Sequence, residues 1–233
     1  MSNVFFKFKQ FSIRHDRCAM KVGTDGVLLG AWGSVEGSRI LDIGTGSGLI
    51  ALMAAQRNPE ATVLGIDIDE AAVEQARENI AESPFKERVD CELHDVLSFN
   101  TDNCFDAILC NPPFFTEDTL PDDKGRALAR NNKSLPFHLL IPKVASLLNN
   151  EGTFSIIVPC ERVLDIVGLC LANGLCLSCR CVVYTTTRKP PRRTLLTFTK
   201  ETRTACVEHE LCLNAADGSR SQAYKELTEA FLI

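Results

Sequence analysis

The stretch Arg39-Ile-Leu-Asp-Ile-Gly-Thr-Gly-Ser-Gly48 decides the fold class, because it joins a short apolar run to a loop with three glycines. Residues 39–43 have the composition of a buried strand, and the apolar spacing of residues 49–57 is typical of a helix. Glycines at alternate positions let a backbone turn tightly and approach a ligand closely. The stretch therefore predicts a strand, a ligand-binding loop and a helix in direct succession.

Outward from this stretch, the same alternation of strands and helices continues along the chain. Further strands are predicted at 61–66, 89–93, 105–110 and 152–158. Further helices are predicted at 70–80 and at 135–148, the latter broken near Pro142. Parallel strands need a crossover between them, so this alternation favours a parallel sheet with helices on both faces.

The C-terminal third differs, because residues 175–185 and 194–199 are predicted strands joined by a loop without a helix. Such a connection indicates an antiparallel pair at one edge, and a last helix over 221–231 is capped by Ser221. We therefore expect an α/β fold with a doubly wound, mostly parallel seven-stranded sheet and an antiparallel C-terminal hairpin.

Composition favours one soluble domain over residues 1–233, in which residues 1–38 form an N-terminal segment that caps the site. No apolar run is long enough to span a membrane, and no secretory signal pattern opens the chain. We therefore expect a cytoplasmic protein with no membrane association and no obligate protein partner. The net charge of −5 argues against strong general attraction to nucleic acid.

Eleven cysteines are present, and most fall within apolar strands or helices. Cys176 and Cys179 have the spacing of a metal-binding pair, but no second pair lies at the distance typical of a zinc finger. Buried free thiols behave as small hydrophobic groups. We expect no metal site and no disulfide framework.

The glycine loop favours S-adenosylmethionine over a dinucleotide. The dinucleotide fingerprint requires a third glycine where this chain has Leu49. S-adenosylmethionine has no phosphates but has an ammonium group, which Asp42 could bind in part through water. We expect Gly44, Gly46 and Gly48 to line the cofactor; the alternative is a plain tight turn.

Further cofactor contacts are predicted after the next two strands. The Asp67 carboxylate can accept both ribose hydroxyls, while Asp69 is better placed to cap the following helix. Ile68 would lie against the adenine. Asp95, followed by Val96, could accept from the adenine amino group; the alternative for Asp95 is a carboxylate in solvent.

Asn111-Pro-Pro-Phe114, directly after the strand 105–110, is the most specific motif. Two prolines hold the backbone extended and leave carbonyl groups without neighbouring donors. The Asn111 side-chain oxygen and the Pro112 carbonyl could both accept from one NH2 group, which would direct the nitrogen lone pair at a methyl donor. Phe114 could stack on the planar group, and Pro113 would maintain the extended backbone.

Taken together, these motifs resemble the class I, Rossmann-like amino methyltransferases. Residues 8–11 and 15–32 are similar to the signature of the bacterial tRNA adenine-N6 methyltransferases, as are residues 79–84 and 191–198. The resemblance implies methyl transfer from S-adenosylmethionine to adenosine 37 in the anticodon loop of a valine tRNA. It also places Lys21 and Thr24 in a segment that closes over the cofactor, and Phe114 where many relatives have tyrosine.

Clusters of basic residues could bind the tRNA, although solvated loops are the alternative for each cluster. The candidates are Lys9, Arg14, Arg17, Arg126, Arg130, Arg188, Lys189, Arg192 and Arg193. A local footprint of this kind predicts modest, salt-sensitive affinity.

Three rival functions share parts of this pattern. Methyltransferases acting on guanine N2 of ribosomal RNA often have Asn-Pro-Pro-Phe but are often longer, with a duplicated domain. Protein-glutamine methyltransferases of release factors use Asn-Pro-Pro-Tyr, but usually carry an extra N-terminal helical domain, whereas about 38 residues precede the first strand here. A non-catalytic protein of the same fold that binds RNA or a partner would tend to lose the glycine loop or the Asn-Pro-Pro motif.

Overall fold

The computed structural model describes residues 4–18, 21–112, 135–201 and 205–233. Its centre is an eight-stranded sheet, and a two-stranded antiparallel sheet forms near the N-terminus. The strands are β1 (Phe5–Lys7), β2 (Ser12–Arg14), β3 (Arg39–Ile43), β4 (Thr62–Asp67), β5 (Val89–Leu93), β6 (Phe105–Cys110), β7 (Leu148–Pro159), β8 (Cys176–Tyr184), β9 (Arg193–Thr199) and β10 (Val207–Cys212).

Helices cover both faces of the large sheet and enclose one apolar core on each side. The helices are α1 (Thr24–Trp32), α2 (Leu49–Arg57), α3 (Glu70–Ala81), α4 (Phe137–Leu147), α5 (Val163–Ala172) and α6 (Gln222–Thr228), with a 3-10 turn at Cys160–Arg162. Residues of α1, α2, α3 and α6 belong to one core, and residues of α4 and α5 belong to the other. This arrangement confirms the predicted doubly wound α/β fold.

The strand order is β10-β8-β9-β7-β6-β3-β4-β5. In the large sheet the first strand along the chain is the central β3. Strands β4 and β5 follow on one side of it, and β6 and β7 then follow on the other side. Strands β3 to β7 are parallel, and β9 lies antiparallel between β7 and β8. The predicted antiparallel pair is therefore present.

The predicted count of seven strands was wrong, because β10 adds an eighth strand, parallel to β8. Residues 207–210 are all exposed and Leu211 is the one buried residue of β10, so the strand has no alternating buried face that sequence periodicity could reveal. Its register places Glu208 opposite Arg180, and the two charged groups lie 3.5 Å apart. Backbone pairing at the sheet edge, rather than burial, defines this strand.

The predicted break near Pro142 is also absent, because α4 continues through this proline. A proline removes one helical hydrogen bond, to the carbonyl four residues earlier. That residue is His138, which is exposed. The buried side of α4, with Leu140, Ile141 and Val144, packs into the second core and supports the helix on both sides of the proline.

Two buried amides of α3 attach the N-terminal segment to the domain. The Asn79 side chain accepts from the backbone N–H of Arg14 at 2.9 Å and donates to the Arg14 carbonyl at 2.9 Å. The Gln75 side chain accepts from the backbone N–H of Arg17 at 2.7 Å. Both amides are at most 1% exposed, and their hydrogen bonds hold the backbone of residues 14–17 against α3.

In the described parts of the chain, no helix combines the length and the apolar character that crossing a membrane would require.

Candidate active site

The predicted site residues meet at the carboxyl ends of the central strands. Ile43 of β3 pairs with Cys110 of β6, so the next residues, Gly44 and Asn111, begin side by side. The strand order reverses between β3 and β6, and ligands of such sheets bind at this reversal. The glycine loop and Asn111, the first residue of the Asn-Pro-Pro motif, therefore occupy neighbouring positions at the expected edge.

A cavity of about 250 Å³ opens between these segments. Its walls are the N-terminal segment with the first turn of α1, the glycine loop with the start of α2, and Asn111. The lining residues are Lys21, Val22, Gly23, Thr24, Asp25, Gly26, Gly44, Thr45, Gly46, Ser47, Leu49, Ile50 and Asn111. Lys21 and Thr24, predicted from the resemblance, thus line the same cavity as Gly44, Gly46 and Asn111.

The glycine loop has a backbone conformation that side chains other than glycine rarely adopt. Gly44, Gly46 and Gly48 have φ values of 69°, 55° and 81°. A Cβ at Gly44 or Gly46 would meet no atom within 4 Å, so both positions face open space. Beneath the loop, a Cβ at Gly65 would lie 2.7 Å from Thr45 Oγ1, which shows how closely the loop passes over β4.

Asp42 lies beneath this loop and is fully buried. One oxygen accepts from the Thr45 hydroxyl at 2.7 Å and from the Ala51 N–H at 3.1 Å. The other oxygen is buried and has no hydrogen-bond partner among the described residues. Burial raises the pKa of Asp42 to about 7. Asp42 is not among the lining residues, so its direct bonds brace the loop, and contact with a ligand through water stays a prediction.

Asp67 also contacts the loop from the end of β4. Its carboxylate accepts from the Gly46 N–H at 2.8 Å and from the Asp69 N–H at 3.0 Å. Asp69 caps α3 by accepting from the Ala71 N–H, which confirms the role predicted for it. Between them, the Ile68 side chain is 66% exposed and open to contact from a ligand.

After β5, Asp95 is half-buried and its carboxylate accepts from the Leu97 N–H at 2.9 Å. Val96 is buried and packs in the second core. The Asp95 carboxylate thus closes a local turn, and its predicted contact with adenine stays a prediction. Both residues follow the strand next to β4, so they lie on the Asp67 side of the site.

The side-chain oxygen of Asn111 is buried and has no hydrogen-bond partner among the described residues. A buried acceptor without a partner costs about 1–3 kcal/mol, and at the wall of a cavity a bound ligand is one source of the missing donor. The first turn of α1 packs close by, since a Cβ at Gly26 would lie 3.8 Å from Asn111 Nδ2. Pro112 is buried, whereas Pro113 and Phe114 lie outside the described residues.

The basic candidates divide into those whose side chains bond to another group of the protein and those that are exposed without a described ion pair. Lys9 donates to the Glu229 carbonyl, Arg14 pairs with Glu82, Arg17 pairs with Glu74 and Glu78, and Arg193 pairs with Asp25. Arg188, Lys189 and Arg192 are exposed in the loop between β8 and β9. Arg126 and Arg130 lie outside the described residues. The 188–192 loop is therefore the predicted basic cluster, among the described residues, whose exposed charges form no ion pair within the protein.

The sequence reasoning did not assign roles to Asp25 or Asn79. Asp25 lines the cavity, and the Asn79 side chain donates to the carbonyl of Ser47 in the glycine loop at 2.8 Å. Both residues fall within stretches that carry the family resemblance, and that resemblance is the feature of the sequence that could have identified them. Periodicity could not distinguish them, because polar residues on helices are usually solvent-exposed.

All eleven cysteines are free thiols. Burial raises the pKa of Cys91 to about 12 and that of Cys18 to about 11, so neither thiol ionises readily near neutral pH. Across the described ranges, no three His, Cys, Asp or Glu side chains come together as a metal site would require. A wider hollow of about 580 Å³ at the amino ends of the central strands contains none of the predicted site residues.

Comparison with known proteins yields a consistent set of relatives. The methyltransferase small domain family matches residues 22–158. A protein of Bacteroides thetaiotaomicron named tRNA1(Val) (adenine(37)-N6)-methyltransferase is 46% identical, covering 100% of this chain and 99% of its own length. A protein of the same name from Pseudoalteromonas translucida is 38% identical, covering 98% of both chains.

Solved structures share the fold at lower identity. A predicted O-methyltransferase from Agrobacterium tumefaciens superimposes with a TM-score of 0.70 at 18% identity, covering 89% of this chain and 96% of that one. A ribosomal protein L11 methylase from Lactobacillus delbrueckii subsp. bulgaricus gives a TM-score of 0.54 at 20% identity, covering 76% and 77%.

Proposed function

Because this chain belongs to the family of the tRNA1(Val) (adenine(37)-N6)-methyltransferases, we propose that it transfers a methyl group from S-adenosylmethionine to the N6 amino group of adenosine 37 in that tRNA. The observation that carries this proposal is the unpaired, buried side-chain oxygen of Asn111 at the cavity. An exocyclic amino group supplies the donor that this oxygen lacks.

Asn111 and Pro112 would act by orienting the target nitrogen. The Asn111 side-chain oxygen accepts one N6 proton and the Pro112 carbonyl accepts the other, so the nitrogen lone pair is directed at the methyl carbon. S-adenosylmethionine would supply the methyl group to this lone pair, with its sulfur keeping the electrons of the broken C–S bond, and N6 would lose one proton to water. The roles proposed for Pro113 and Phe114, holding the backbone extended and stacking on the base, follow from the sequence motif alone, since both residues lie outside the described ranges.

The residues around the cavity fit S-adenosylmethionine, which supplies an electrophilic methyl group on a sulfonium ion. The open space above Gly44 and Gly46 accommodates its amino-acid end. Asp67 provides the carboxylate for the ribose hydroxyls, and the exposed Ile68 provides an apolar surface for the adenine. Gly48, Asp95, Val96, Lys21 and Thr24 complete the proposed cofactor set, with Asp42 contributing through the loop or a bridging water.

The tRNA would approach from the side of the exposed 188–192 loop, and residues 1–38 would cap the site within one domain. An anticodon-loop base can leave its stack at small cost and enter such a site. The phosphates near it would be neutralised by Arg188, Lys189 and Arg192. A tRNA substrate places this activity in the cytoplasm.

The test combines product identification with one variant. The purified protein is incubated with labelled S-adenosylmethionine and, separately, tRNA1(Val), ribosomal RNA and release factor, and tRNA digests are compared with standards by mass spectrometry. We expect N6-methyladenosine at position 37. Asn111→Ala should lower kcat by roughly 10²–10³-fold with little change in cofactor affinity, because one preorganised partner of the reacting group is lost. Exposed Asn103, in the loop before β6, provides the matched control Asn103→Ala.

Several results would contradict the proposal. Methylation of ribosomal guanine or of release-factor glutamine in place of tRNA would assign a rival enzyme class. Cofactor binding without any methyl transfer would indicate a non-catalytic protein. Formation of N1-methyladenosine, or wild-type turnover by Asn111→Ala, would show that Asn111 does not orient an amino group.

A further inference from the structure

An ion pair joins the start of β9 to the wall of the cavity. Arg193 Nε donates to Asp25 Oδ2 at 2.8 Å, across 168 positions of sequence. The side chains of Arg193 and Asp25 are 33% and 28% exposed, so the pair is partly shielded from water. The attraction between the two charges is therefore screened less by water than in a fully solvated surface ion pair.

The position of Arg193 follows from the sheet topology. Arg193 pairs with Pro159, the last residue of β7, so it lies at the same edge as the ends of β3 and β6. It also pairs with Val183 of β8 and directly follows the exposed 188–192 loop. Arg193 thus stands between the proposed tRNA surface and the cavity.

Asp25 lies at the other end of the pair, in the first turn of α1. This helix begins at Thr24, and its N-cap residue Gly23 has no side chain that could cap it, so the local bond to this turn is the one from the Val27 N–H to the Gly23 carbonyl at 3.2 Å. The next residue, Gly26, is close to its neighbours: a Cβ there would lie 3.1 Å from Leu49 Cδ2 and 3.8 Å from Asn111 Nδ2. A shift of this turn would therefore move the wall beside Asn111.

We infer that the Arg193–Asp25 pair holds the first turn of α1 against Asn111, and that Arg193 is a positioning residue for methyl transfer. The inference rests on the proposed function, in which Asn111 orients the target amino group. It assigns different tasks to two adjacent arginines. Arg192 is exposed and faces the tRNA, whereas Arg193 sets the geometry of the site.

Steady-state kinetics with tRNA1(Val) and calorimetry with S-adenosylmethionine separate the two tasks. We expect Arg193→Ala and Asp25→Ala each to lower kcat about tenfold, since a hydrogen-bonded charge is lost in a partly exposed setting. The KM for tRNA should change less than about twofold. The double variant should be no slower than either single variant, because both remove the same bond.

Two further variants serve as comparisons. Arg192→Ala should raise the KM for tRNA, since it removes only a charge that faces the phosphates. Arg180→Ala removes an arginine that pairs with Glu208 at the far edge of the sheet, and its kinetics should match the wild type. Arg193→Lys should restore part of the lost kcat, because it retains the charge but not the guanidinium geometry.

A rise in the KM for tRNA at unchanged kcat in Arg193→Ala would overturn the inference and make Arg193 an RNA contact. Additive losses in the double variant would also overturn it. If the wild type binds S-adenosylmethionine but does not methylate tRNA, the proposed function fails separately. Hydrogen exchange of residues 21–32 then tests the pair directly: faster exchange in Arg193→Ala than in Arg180→Ala supports it, and equal exchange refutes it.

Discussion

The side chain of Asn79 bonds to backbone groups in two separate segments, and Asn79→Ala removes all of these bonds at once. It accepts from the Arg14 N–H at 2.9 Å, donates to the Arg14 carbonyl at 2.9 Å and donates to the Ser47 carbonyl at 2.8 Å. The side chain is 1% exposed, so water cannot replace it without rearrangement. Both the N-terminal segment and the glycine loop therefore lose an anchor.

The size of the effect follows from these three bonds. A net contribution of about 1 kcal/mol per bond gives about 3 kcal/mol, and backbone groups left buried without partners raise the loss to about 3–5 kcal/mol. This is a large part of a typical stability of about 5–15 kcal/mol. We expect a drop in Tm on the order of 10 °C, and weaker cofactor binding because the loop carbonyl at Ser47 is released.

Urea unfolding and calorimetric titration with S-adenosylmethionine measure the two effects. Glu78→Ala is the matched control, since Glu78 precedes Asn79 on α3 and forms an exposed ion pair with Arg17. Such an exposed pair contributes little to the free energy of unfolding. A loss below about 1 kcal/mol in Asn79→Ala, or an equal loss in Glu78→Ala, would refute the assignment of Asn79 as the buried anchor.

Two other predictions concern the carboxylates beside the glycine loop. Asp67→Ala should weaken S-adenosylmethionine binding by about 1–3 kcal/mol in calorimetry, because a charged acceptor is lost; unchanged affinity would exclude it from the ribose site. Burial raises the pKa of Asp42 to about 7. Between about pH 4 and 7 the folded state therefore holds a proton on Asp42 that the unfolded state has lost. The free energy of unfolding consequently falls as pH rises through that range. Asp42→Asn should remove this fall, up to about 1.4 kcal/mol per pH unit, in urea unfolding at pH 5, 6 and 8; parallel profiles for the two proteins would contradict the prediction.

Local pattern was sufficient for the parallel half of the fold. The spacing of apolar residues predicted β5, β6 and α2 with the observed bounds, because each buries a regular face. The same pattern did not reveal β10 or the hairpin of β1 and β2. Their residues are mostly exposed, so pairing with another strand, and not burial, determines their conformation.

The candidate site also combines features that the local sequence predicts with features that only the tertiary structure shows. Glycines between a strand and a helix, and an Asn-Pro-Pro run after a strand, each imply a ligand loop from local backbone chemistry. The sequence could not show that the Asp42 carboxylate points into the core, with its bonds going to Thr45 and Ala51. The side chain's direction depends on how the loop folds over β4.

The sequence by itself determined the alternation of β3 to β7 with α2, α3 and α4, the glycine loop and the polar residues that follow β3, β4 and β6, because these depend on neighbours in the chain. The tertiary structure alone decided which basic side chains form ion pairs within the protein. Arg14, Arg17 and Arg193 look alike as a basic set in the sequence, yet each meets a carboxylate from a distant segment. Ion pairing depends on distance in space, and strand register and helix packing bring residues 25 and 193 within 2.8 Å.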